Sequence, residues 1–128
     1  MEKKRILIVD DAATVLMYHR SILEKAGYEI DEAMKGIEAL EKILATTPYD
    51  LYLVDINMPK MDGYTFLQEL RKLAIPQRPA IMISTEDKEW DMEKAFQSGA
   101  NYYIPKPVEP TQLLLYVELL LGQVQGHE

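Results

Sequence analysis

The sequence contains no cysteine and only two histidines among its 128 residues. The absence of cysteine excludes disulfide bonds, thiolate zinc sites, iron–sulfur clusters and a cysteine nucleophile. Basic side chains are in the minority, with 14 Lys and Arg against 21 Asp and Glu, which gives a net charge of -7. Nucleic acid and anionic membranes both attract basic patches, so we expect neither as a direct partner.

Long apolar runs are absent as well. The longest covers residues 113–117, whereas a transmembrane helix needs about 20 apolar residues. The charged residues 1–5 are followed by only four apolar residues, which is too few for a secretory signal. We therefore expect a cytoplasmic protein with a single domain over residues 1–128, a core from about residue 4 to 121 and a polar tail at 122–128.

Five short segments have the composition of β-strands. Ile6–Val9, Leu51–Val54 and Ala80–Ile83 are continuous apolar runs, which are typical of strands covered on both faces. Tyr28–Glu32 alternates between apolar and polar residues, and Tyr102–Ile104 is short. The last two are therefore predicted to be edge strands.

Helices are predicted after each strand, over residues 12–26, 35–46, 62–73, 87–98 and 109–121. Five alternating strand–helix units predict an α/β fold, with a doubly wound parallel sheet and helices on both faces. The only histidine within a predicted helix, His19, is interpreted as a structural residue. The residues expected to face the core are Val15, Ile22, Ala26, Ile37, Leu40, Ile43, Phe66, Leu67, Leu70, Met92, Ala95, Phe96, Leu113, Val117 and Leu120.

Polar side chains follow four of the predicted strands. In doubly wound sheets the functional site lies outside the carboxyl ends of the strands. Carboxylates about 5 Å apart repel by roughly 3 kcal/mol per pair at an effective dielectric constant near 20, and a divalent cation relieves this repulsion. A site made only of oxygen ligands favours Mg²⁺. The residues concerned are Asp10, Asp11, Asp55, Ser84, Thr85 and Lys106.

These residue types together suit phosphoryl transfer. Mg²⁺ held by Asp10, Asp11 and Asp55 could also bind a phosphoryl oxygen, and Asp55 could attack phosphorus as a nucleophile. Lys106 and Ser84 could neutralise and hydrogen-bond the other phosphoryl oxygens. The product would be an aspartyl phosphate that water can hydrolyse.

Each residue alone has an ordinary explanation. Asp10 and Asp11 could cap a helix, because aspartate is favoured at that position. Asp55 could be a turn residue, and Lys106 could be a solvated surface lysine. Only their joint occurrence at the ends of parallel strands favours a shared site.

Several motifs carry a family resemblance over about residues 4–121. The sequence resembles the receiver domain of response regulators of two-component systems, of the CheY-like single-domain type. This resemblance implies a flavodoxin-like sheet with the strand order 2-1-3-4-5 and five helices. The motifs are Ile6-Leu-Ile-Val-Asp-Asp11, Val54-Asp-Ile-Asn-Met-Pro-Lys-Met-Asp-Gly63, Ile83-Ser-Thr-Glu86, Ser98-Gly-Ala100 and Lys106-Pro-Val108.

The resemblance also implies a role for each matching residue. Asp55 matches the phospho-acceptor, and Asp10 and Asp11 match the acidic pair that binds Mg²⁺. The backbone carbonyl of Asn57 would be a further metal ligand. Lys106 matches the lysine that contacts the phosphoryl group.

A second set of matching positions concerns switching and dephosphorylation. Ser84 matches the switch hydroxyl, although the adjacent Thr85 could be aligned there instead. Tyr103 matches the switch aromatic residue, which would move inward from a more exposed rotamer. Asn57 and Glu86 match the two variable positions that flank the path of the attacking water.

The segment around the lysine has one departure from the family pattern. The family has a cis peptide bond at the position of Lys106–Pro107. Pro105 directly before the lysine is unusual. It stiffens the approach to Lys106 and removes a backbone donor.

The resemblance implies two kinds of partner. A histidine kinase or a histidine phosphotransfer protein would donate the phosphoryl group. The fourth helix, fifth strand and fifth helix would bind a downstream protein or a second copy of the chain. Trp90 is expected to point outward because it lies two residues, or about 200° of helical rotation, before Met92. Leu115 and Leu119 lie off the inner stripe of the last helix, and Tyr103 completes this predicted face.

Two alternatives remain open at this point. A hydrolase of the haloacid dehalogenase type also uses Asp, Mg²⁺, Ser or Thr and Lys, but it carries a second acid two residues after the nucleophile, where this sequence has Asn57. A degenerate receiver that acts as an unphosphorylated interaction module is the other alternative. The complete set of acidic residues, hydroxyl and lysine argues against it.

Overall fold

The computed structural model describes residues 3–45, 48–85 and 88–122. Strands and helices alternate along the chain, as predicted. The predicted helix ends at Thr46 and Asp87, the dephosphorylation position Glu86 and the tail from residue 123 lie outside the described residues. The elements are β1 (Arg5–Val9), α1 (Ala13–Lys25), β2 (Glu29–Ala33), α2 (Gly36–Ala45), β3 (Leu51–Asp55), α3 (Gly63–Lys72), β4 (Ala80–Ser84), α4 (Glu89–Ser98), β5 (Tyr102–Pro105) and α5 (Pro110–Leu121).

All strand pairs are parallel, and the sheet has the order β2-β1-β3-β4-β5. This is the doubly wound, CheY-like flavodoxin fold that the sequence predicted. The edge positions of β2 and β5 are confirmed. Every residue of β3 and β4 is buried, while only Ile30 and Ala33 of β2 are.

The sheet separates two hydrophobic clusters, one on each face. Leu7 and Val9 of β1 contribute to the cluster covered by α2, α3 and α4. Ile6 and Ile8 contribute to the cluster covered by α1 and α5. Successive side chains of a strand point to opposite faces, so one apolar run supplies both clusters. No helix in the described part of the chain is long and apolar enough to span a membrane.

The predicted core face of α3 is confirmed, and that of α5 is confirmed at Leu113 and Val117. The predictions for α1 and α2 are only partly right, because Ile22, Ala26 and Leu40 pack at the edge of the core rather than within it. In α1 the buried residues are Leu16, His19 and Leu23. The predicted residues Val15, Ile22 and Ala26 are only partly buried. The true stripe is therefore rotated by about 100°, the angle of one residue.

In α2 the error is smaller, since Ile43 is buried as predicted. Ile37, however, is 53% exposed. Gly36 and Ala39 form the rest of the buried face. Small residues let this helix lie close to its neighbours, and a Cβ on Gly36 would lie only 2.7 Å from the sulfur of Met61.

The predicted core face of α4 is wrong for a different reason. Met92 and Phe96 are exposed, and the buried residues are Asp91, Ala95 and Ser98. The Ser98 hydroxyl is satisfied because it donates to the carbonyl of Lys94 at 2.8 Å. Since the inner face of α4 is small or polar, apolar periodicity selects the outer face instead.

Candidate functional site

Three carboxylates converge where β1 and β3 end. Asp10 directly follows β1, and Asp55 is the last residue of β3, the strand paired with β1. One carboxylate oxygen each from Asp10, Asp11 and Asp55 lie within 4.8 Å of one another. Asp10 and Asp55 are buried, whereas Asp11 is exposed. The group therefore extends from the sheet edge to the solvent.

Asp10 is oriented by the backbone at the start of α1. Its Oδ1 accepts the Ala12 N–H at 2.9 Å. The N-cap of α1 is Ala12, and no side chain caps this helix end. The ordinary explanation of Asp10 and Asp11 as helix caps is thus wrong. The second carboxylate oxygen of Asp10 remains directed toward Lys106.

Lys106 reaches the carboxylates from the end of β5. Its Nζ donates to Asp55 Oδ1 at 3.0 Å and lies 3.5 Å from Asp10 Oδ2. Its backbone N–H donates to the Ser84 carbonyl at 2.7 Å, which fixes the base of the side chain. The Lys106–Pro107 peptide bond is cis. Lys106 is therefore not a solvated surface lysine.

Burial sets the electrostatics of this group. Desolvation raises the pKa of Asp55, opposed by the hydrogen bond from Lys106 and reinforced by the charge of Asp10. Desolvation likewise raises the pKa of Asp10, opposed by the Ala12 N–H and by Lys106. Although burial lowers the pKa of Lys106, the hydrogen bond to Asp55 and the nearby carboxylates more than offset it, and the net shift is upward. The lysine therefore stays protonated at neutral pH.

The donor set fits a hard divalent cation. Three carboxylates and one ammonium group leave this cluster with an excess of negative charge. The ligand atoms are all oxygen, which Mg²⁺ prefers over softer nitrogen and sulfur ligands. Asn57, whose carbonyl was expected as a further ligand, lies two residues beyond Asp55 and is exposed. The residues present thus fit the metal that the sequence predicted.

Gly63 is a residue of this site that the sequence reasoning missed. The Gly63 N–H donates to the Ile56 carbonyl at 2.9 Å, which folds the β3–α3 loop back onto the end of β3. A Cβ at this position would lie only 2.6 Å from the Asp55 carbonyl oxygen. Only glycine fits this approach, and its place directly after Asp62 at the start of a helix was the available signal.

The two candidate switch hydroxyls differ in burial. Ser84 is the last residue of β4 and is fully buried, while Thr85 follows it and is exposed. The Lys106 N–H reaches the carbonyl of Ser84. Ser84 thus carries the more buried of the two hydroxyls at this edge of the sheet.

Tyr103 differs from the expectation of an exposed rotamer. Its side chain is only 7% exposed and packs in the cluster beneath α2, α3 and α4. This placement removes Tyr103 from the predicted partner face. Trp90, Leu115 and Leu119 are 57%, 51% and 58% exposed, so these three members of the face are accessible.

Comparisons with known proteins agree with this geometry. The sequence matches the response regulator receiver domain family over residues 6–118. The transcriptional regulatory protein ResD of Bacillus subtilis (strain 168) is 38% identical over 117 residues, 91% of this chain and 48% of ResD. The transcriptional regulatory protein SrrA of Staphylococcus aureus (strain COL) is 37% identical over 121 residues, 94% of this chain and 49% of SrrA. The chain thus spans about half the length of these relatives.

Solved structures of receiver domains are also similar to this chain. A CheY-like response regulator receiver domain protein from Methanospirillum hungatei JF-1 is 36% identical, with a TM-score of 0.86, and the match covers 94% of this chain and 95% of that one. The chemotaxis protein CheY4 of Vibrio cholerae is 30% identical, with a TM-score of 0.87 and coverage of 94% and 100%. The chain is therefore a member of the response regulator receiver domain family, of the CheY-like type, and this family serves two-component signalling.

Proposed function

We propose that this chain is a phosphorylation-controlled switch that accepts a phosphoryl group on Asp55. The observation that carries the proposal is the position of Lys106 Nζ, 3.0 Å from Asp55 Oδ1 and 3.5 Å from Asp10 Oδ2. A partly buried cation beside a buried carboxylate neutralises negative charge where a phosphoryl group would add more. The phosphoryl donor would be a histidine kinase, a histidine phosphotransfer protein or a small acyl phosphate.

The transfer step is a displacement at phosphorus. An Asp55 carboxylate oxygen attacks the phosphorus and forms a new O–P bond. The P–N bond of the phosphohistidine donor breaks, and the released imidazole nitrogen takes up a proton. Water later attacks the phosphorus of the aspartyl phosphate and yields inorganic phosphate and the free carboxylate. The protein thus undergoes transfer and self-hydrolysis without acting as a conventional enzyme.

The side chains around Asp55 have separate roles in this proposal. Asp10, Asp11, Asp55 and the Asn57 carbonyl would hold Mg²⁺, which supplies charge neutralisation between the carboxylates and the phosphoryl oxygens. Lys106 remains protonated and positions the attacking carboxylate of Asp55. Asp10 is kept in place by the Ala12 N–H, so the carboxylate does not need to reorient during the transfer.

Signalling would follow from a new acceptor at the site. A phosphoryl group on Asp55 offers oxygens to the Ser84 hydroxyl, and this differential contact shifts a two-state equilibrium. Tyr103 is already buried here, so we infer that phosphorylation stabilises its inward position. The readout would be binding of a downstream protein or a second copy to the face that contains Trp90, Leu115 and Leu119.

The assignment of Asp55 as phospho-acceptor is tested by incubating the chain with acetyl phosphate and Mg²⁺ and measuring its intact mass by mass spectrometry. The wild-type chain is expected to gain one phosphoryl group, and Asp55→Asn is expected to gain none. Asp62→Asn is the matched control, because Asp62 only caps α3 through the Thr65 N–H and asparagine caps equally well. Equal incorporation in the Asp55 and Asp62 variants would contradict the proposal.

The same assay separates the alternatives. Rapid turnover of unrelated phosphoesters would favour the hydrolase, and no reaction at all would favour an unphosphorylated interaction module. Ser84→Ala is expected to permit phosphorylation but to uncouple it from partner binding, while Thr85→Ala retains the coupling. Normal coupling in the Ser84 variant would assign the switch to another group.

We further propose that residues 1–128 form one domain and that the protein is cytoplasmic.

A further inference from the structure

A polar cleft lies at the amino-terminal end of the sheet, opposite the end that carries Asp55. It has a volume of about 340 Å³. Pro79 and Asn101 directly precede β4 and β5, and Arg71 lies in the last turn of α3. The cleft is lined by Arg71, Gln77, Arg78, Pro79, Gly99 and Asn101.

The two arginines of this cleft are not paired with carboxylates. Arg5 and Arg20 form ion pairs with Glu29 and with Glu24 and Glu32. In the described ranges 3–45, 48–85 and 88–122, neither Arg71 nor Arg78 contacts a carboxylate within ion-pair distance. In a chain with a net charge of -7, two guanidinium groups at one cleft without an acidic partner are unexpected.

Arg71 is fixed at the base of the cleft. Its Nε and one terminal nitrogen donate to the Gly99 carbonyl at 3.1 and 2.8 Å, and its other terminal nitrogen donates to Gln77 Oε1 and the Arg78 carbonyl. All of these acceptors are uncharged. Burial lowers the pKa of Arg71, and its hydrogen-bond acceptors bring no negative charge to offset that of the guanidinium. An anion in the cleft would supply the missing charge.

Arg78 and Asn101 provide donors at the rim. Both side chains are exposed. Asn101 Oδ1 accepts the Ala80 N–H at 2.9 Å, so the oxygen of this amide is engaged and its NH₂ is the group that can donate to a ligand. Burial raises the pKa of the Tyr52 phenol. The positive charges of Arg71 and Arg78 both act on this phenol and oppose that increase. The two guanidinium charges therefore converge on one region.

We propose that this cleft binds a phosphate dianion, either free phosphate or the phosphoryl group of a small phosphomonoester. Two positive charges match a dianion better than a monocarboxylate. The Arg78 guanidinium can donate two parallel hydrogen bonds to phosphate oxygens, with the Asn101 amide as a further donor. Arg71 contributes charge from below without breaking its own hydrogen bonds. The site is independent of Asp55 and of the proposed phosphorylation.

The test is a titration of the full isotope-labelled chain with inorganic phosphate at about pH 8 without Mg²⁺, followed by NMR at constant ionic strength. Saturable shifts of the Gly99 and Asn101 amides are expected, with a dissociation constant in the millimolar range. Shifts that grow linearly with phosphate, or that are confined to Ser84 and Lys106 at the other end of the sheet, would overturn the proposal.

A matched pair of variants gives the decisive comparison. Arg78→Gln is expected to weaken phosphate binding by about tenfold or more, because a charge-assisted hydrogen bond is lost. Arg20→Gln removes the same charge from a guanidinium that is already paired with Glu24 and Glu32, and is expected to leave the affinity unchanged. Equal weakening in both variants would mean that only net charge matters and would overturn the site.

Two further ligands define the chemical class. Acetate is expected to bind at least about tenfold more weakly than phosphate, since it carries a single charge. Equal binding of acetate would overturn the phosphate assignment. Phenyl phosphate distinguishes the two sources: binding as tight as that of phosphate identifies a phosphomonoester site, and its exclusion identifies a site for free phosphate.

Discussion

The two ends of the sheet hold charge in opposite ways. At the carboxyl end, Asp10, Asp11 and Asp55 lie within 4.8 Å of one another and share a single ammonium group. At the amino end, the Arg71 guanidinium is surrounded by carbonyl and amide oxygens that satisfy its donors. Three carboxylates thus lie close together at one end, whereas the Arg71 guanidinium at the other end is hydrogen-bonded throughout to neutral acceptors.

The two arrangements contribute to stability with opposite sign. A cluster of carboxylates destabilises the metal-free fold, because each carboxylate repels the others. A guanidinium that donates to several backbone carbonyls ties chain segments together. Arg71 links the end of α3 to the turn between α4 and β5 through Gly99, and to the loop before β4 through Arg78. We therefore expect opposite effects on stability when charge is removed from the two ends.

The largest expected effect is at the amino end. Arg71→Ala removes all of the hydrogen bonds to Gly99, Gln77, Arg78 and Asn101 and leaves the partly buried Gly99 carbonyl without these donors. The free energy of unfolding is expected to fall by about 3 kcal/mol, measured by urea denaturation. The control is Arg78→Ala, because the exposed Arg78 side chain makes no hydrogen bond to any residue that the structure describes. This variant is expected to change stability by less than about 0.5 kcal/mol. Similar losses in both variants would show that the Arg71 hydrogen bonds are not the cause.

The next effect concerns His19, which is buried near the carboxyl end. Burial, and to a smaller extent the charge of Lys106, lowers the pKa of His19 to about 4 from its ordinary value of 6.5. A lowered histidine pKa means that the unfolded state binds the proton more tightly, so stability is lost as pH falls from about 6.5 to about 4. Between pH 7 and pH 4.5 this loss is about 2 kcal/mol.

The measurement compares the wild type with His19→Gln by urea denaturation at both pH values. The variant is expected to lose less stability on acidification, by about 2 kcal/mol, whatever its absolute stability. The carboxylates titrate in both proteins, so their contribution cancels in the difference. Parallel pH profiles would show that His19 is protonated in the folded state as readily as in the unfolded state.

The third expected effect is a gain in stability, opposite in sign to the loss expected for Arg71→Ala. Asp10→Asn removes one of the clustered charges but keeps the Oδ1 acceptor for the Ala12 N–H. Without metal, the melting temperature is expected to rise, with a gain of about 1 kcal/mol in stability. With Mg²⁺, the gain is expected to shrink because the variant binds the ion more weakly. A fall in metal-free stability would show that the ion pair with Lys106 outweighs the repulsion.

The same contrast explains how much could be predicted from the sequence. The carboxyl end was predictable because apolar runs mark the strands. Three of these runs end directly before Asp10, Asp55 or Ser84, and Lys106 follows the fifth run after Pro105. The parallel topology then brings these residues to one edge without any knowledge of helix packing. The strand order itself came from the family resemblance.

The amino end was not predictable in this way. The partners of Arg71 are mainly backbone carbonyls, which no residue pattern reveals. The prediction of helix faces failed where polar residues are buried, as with Asp91 and Ser98 in α4. Apolar periodicity also gave no information on the inward position of Tyr103, which depends on the space left between the sheet and the helices.

The smallest effect on stability is expected on the exposed face of α5, away from both ends. Leu113 and Val117 are fully buried, whereas Leu115 and Leu119 are 51% and 58% exposed on the same helix. Apolar residues on both sides of a helix are typical of an element that a partner covers. Leu115→Glu with Leu119→Glu is therefore expected to change the free energy of unfolding by less than about 0.5 kcal/mol per site and to leave Asp55 phosphorylation intact. Self-association of the phosphorylated chain, measured by sedimentation, or binding to its target is expected to be lost.

The control for this double variant adds the same two negative charges on another exposed surface. Ile37 and Leu44 of α2 are 53% and 61% exposed, so Ile37→Glu with Leu44→Glu matches the change in charge and hydrophobicity. It is expected to preserve association, because α2 lies outside the face that contains Leu115. Loss of association in both double variants would mean that net repulsion, rather than a specific contact, prevents it. Unfolding of the α5 variant alone would mean that Leu115 and Leu119 belong to the core.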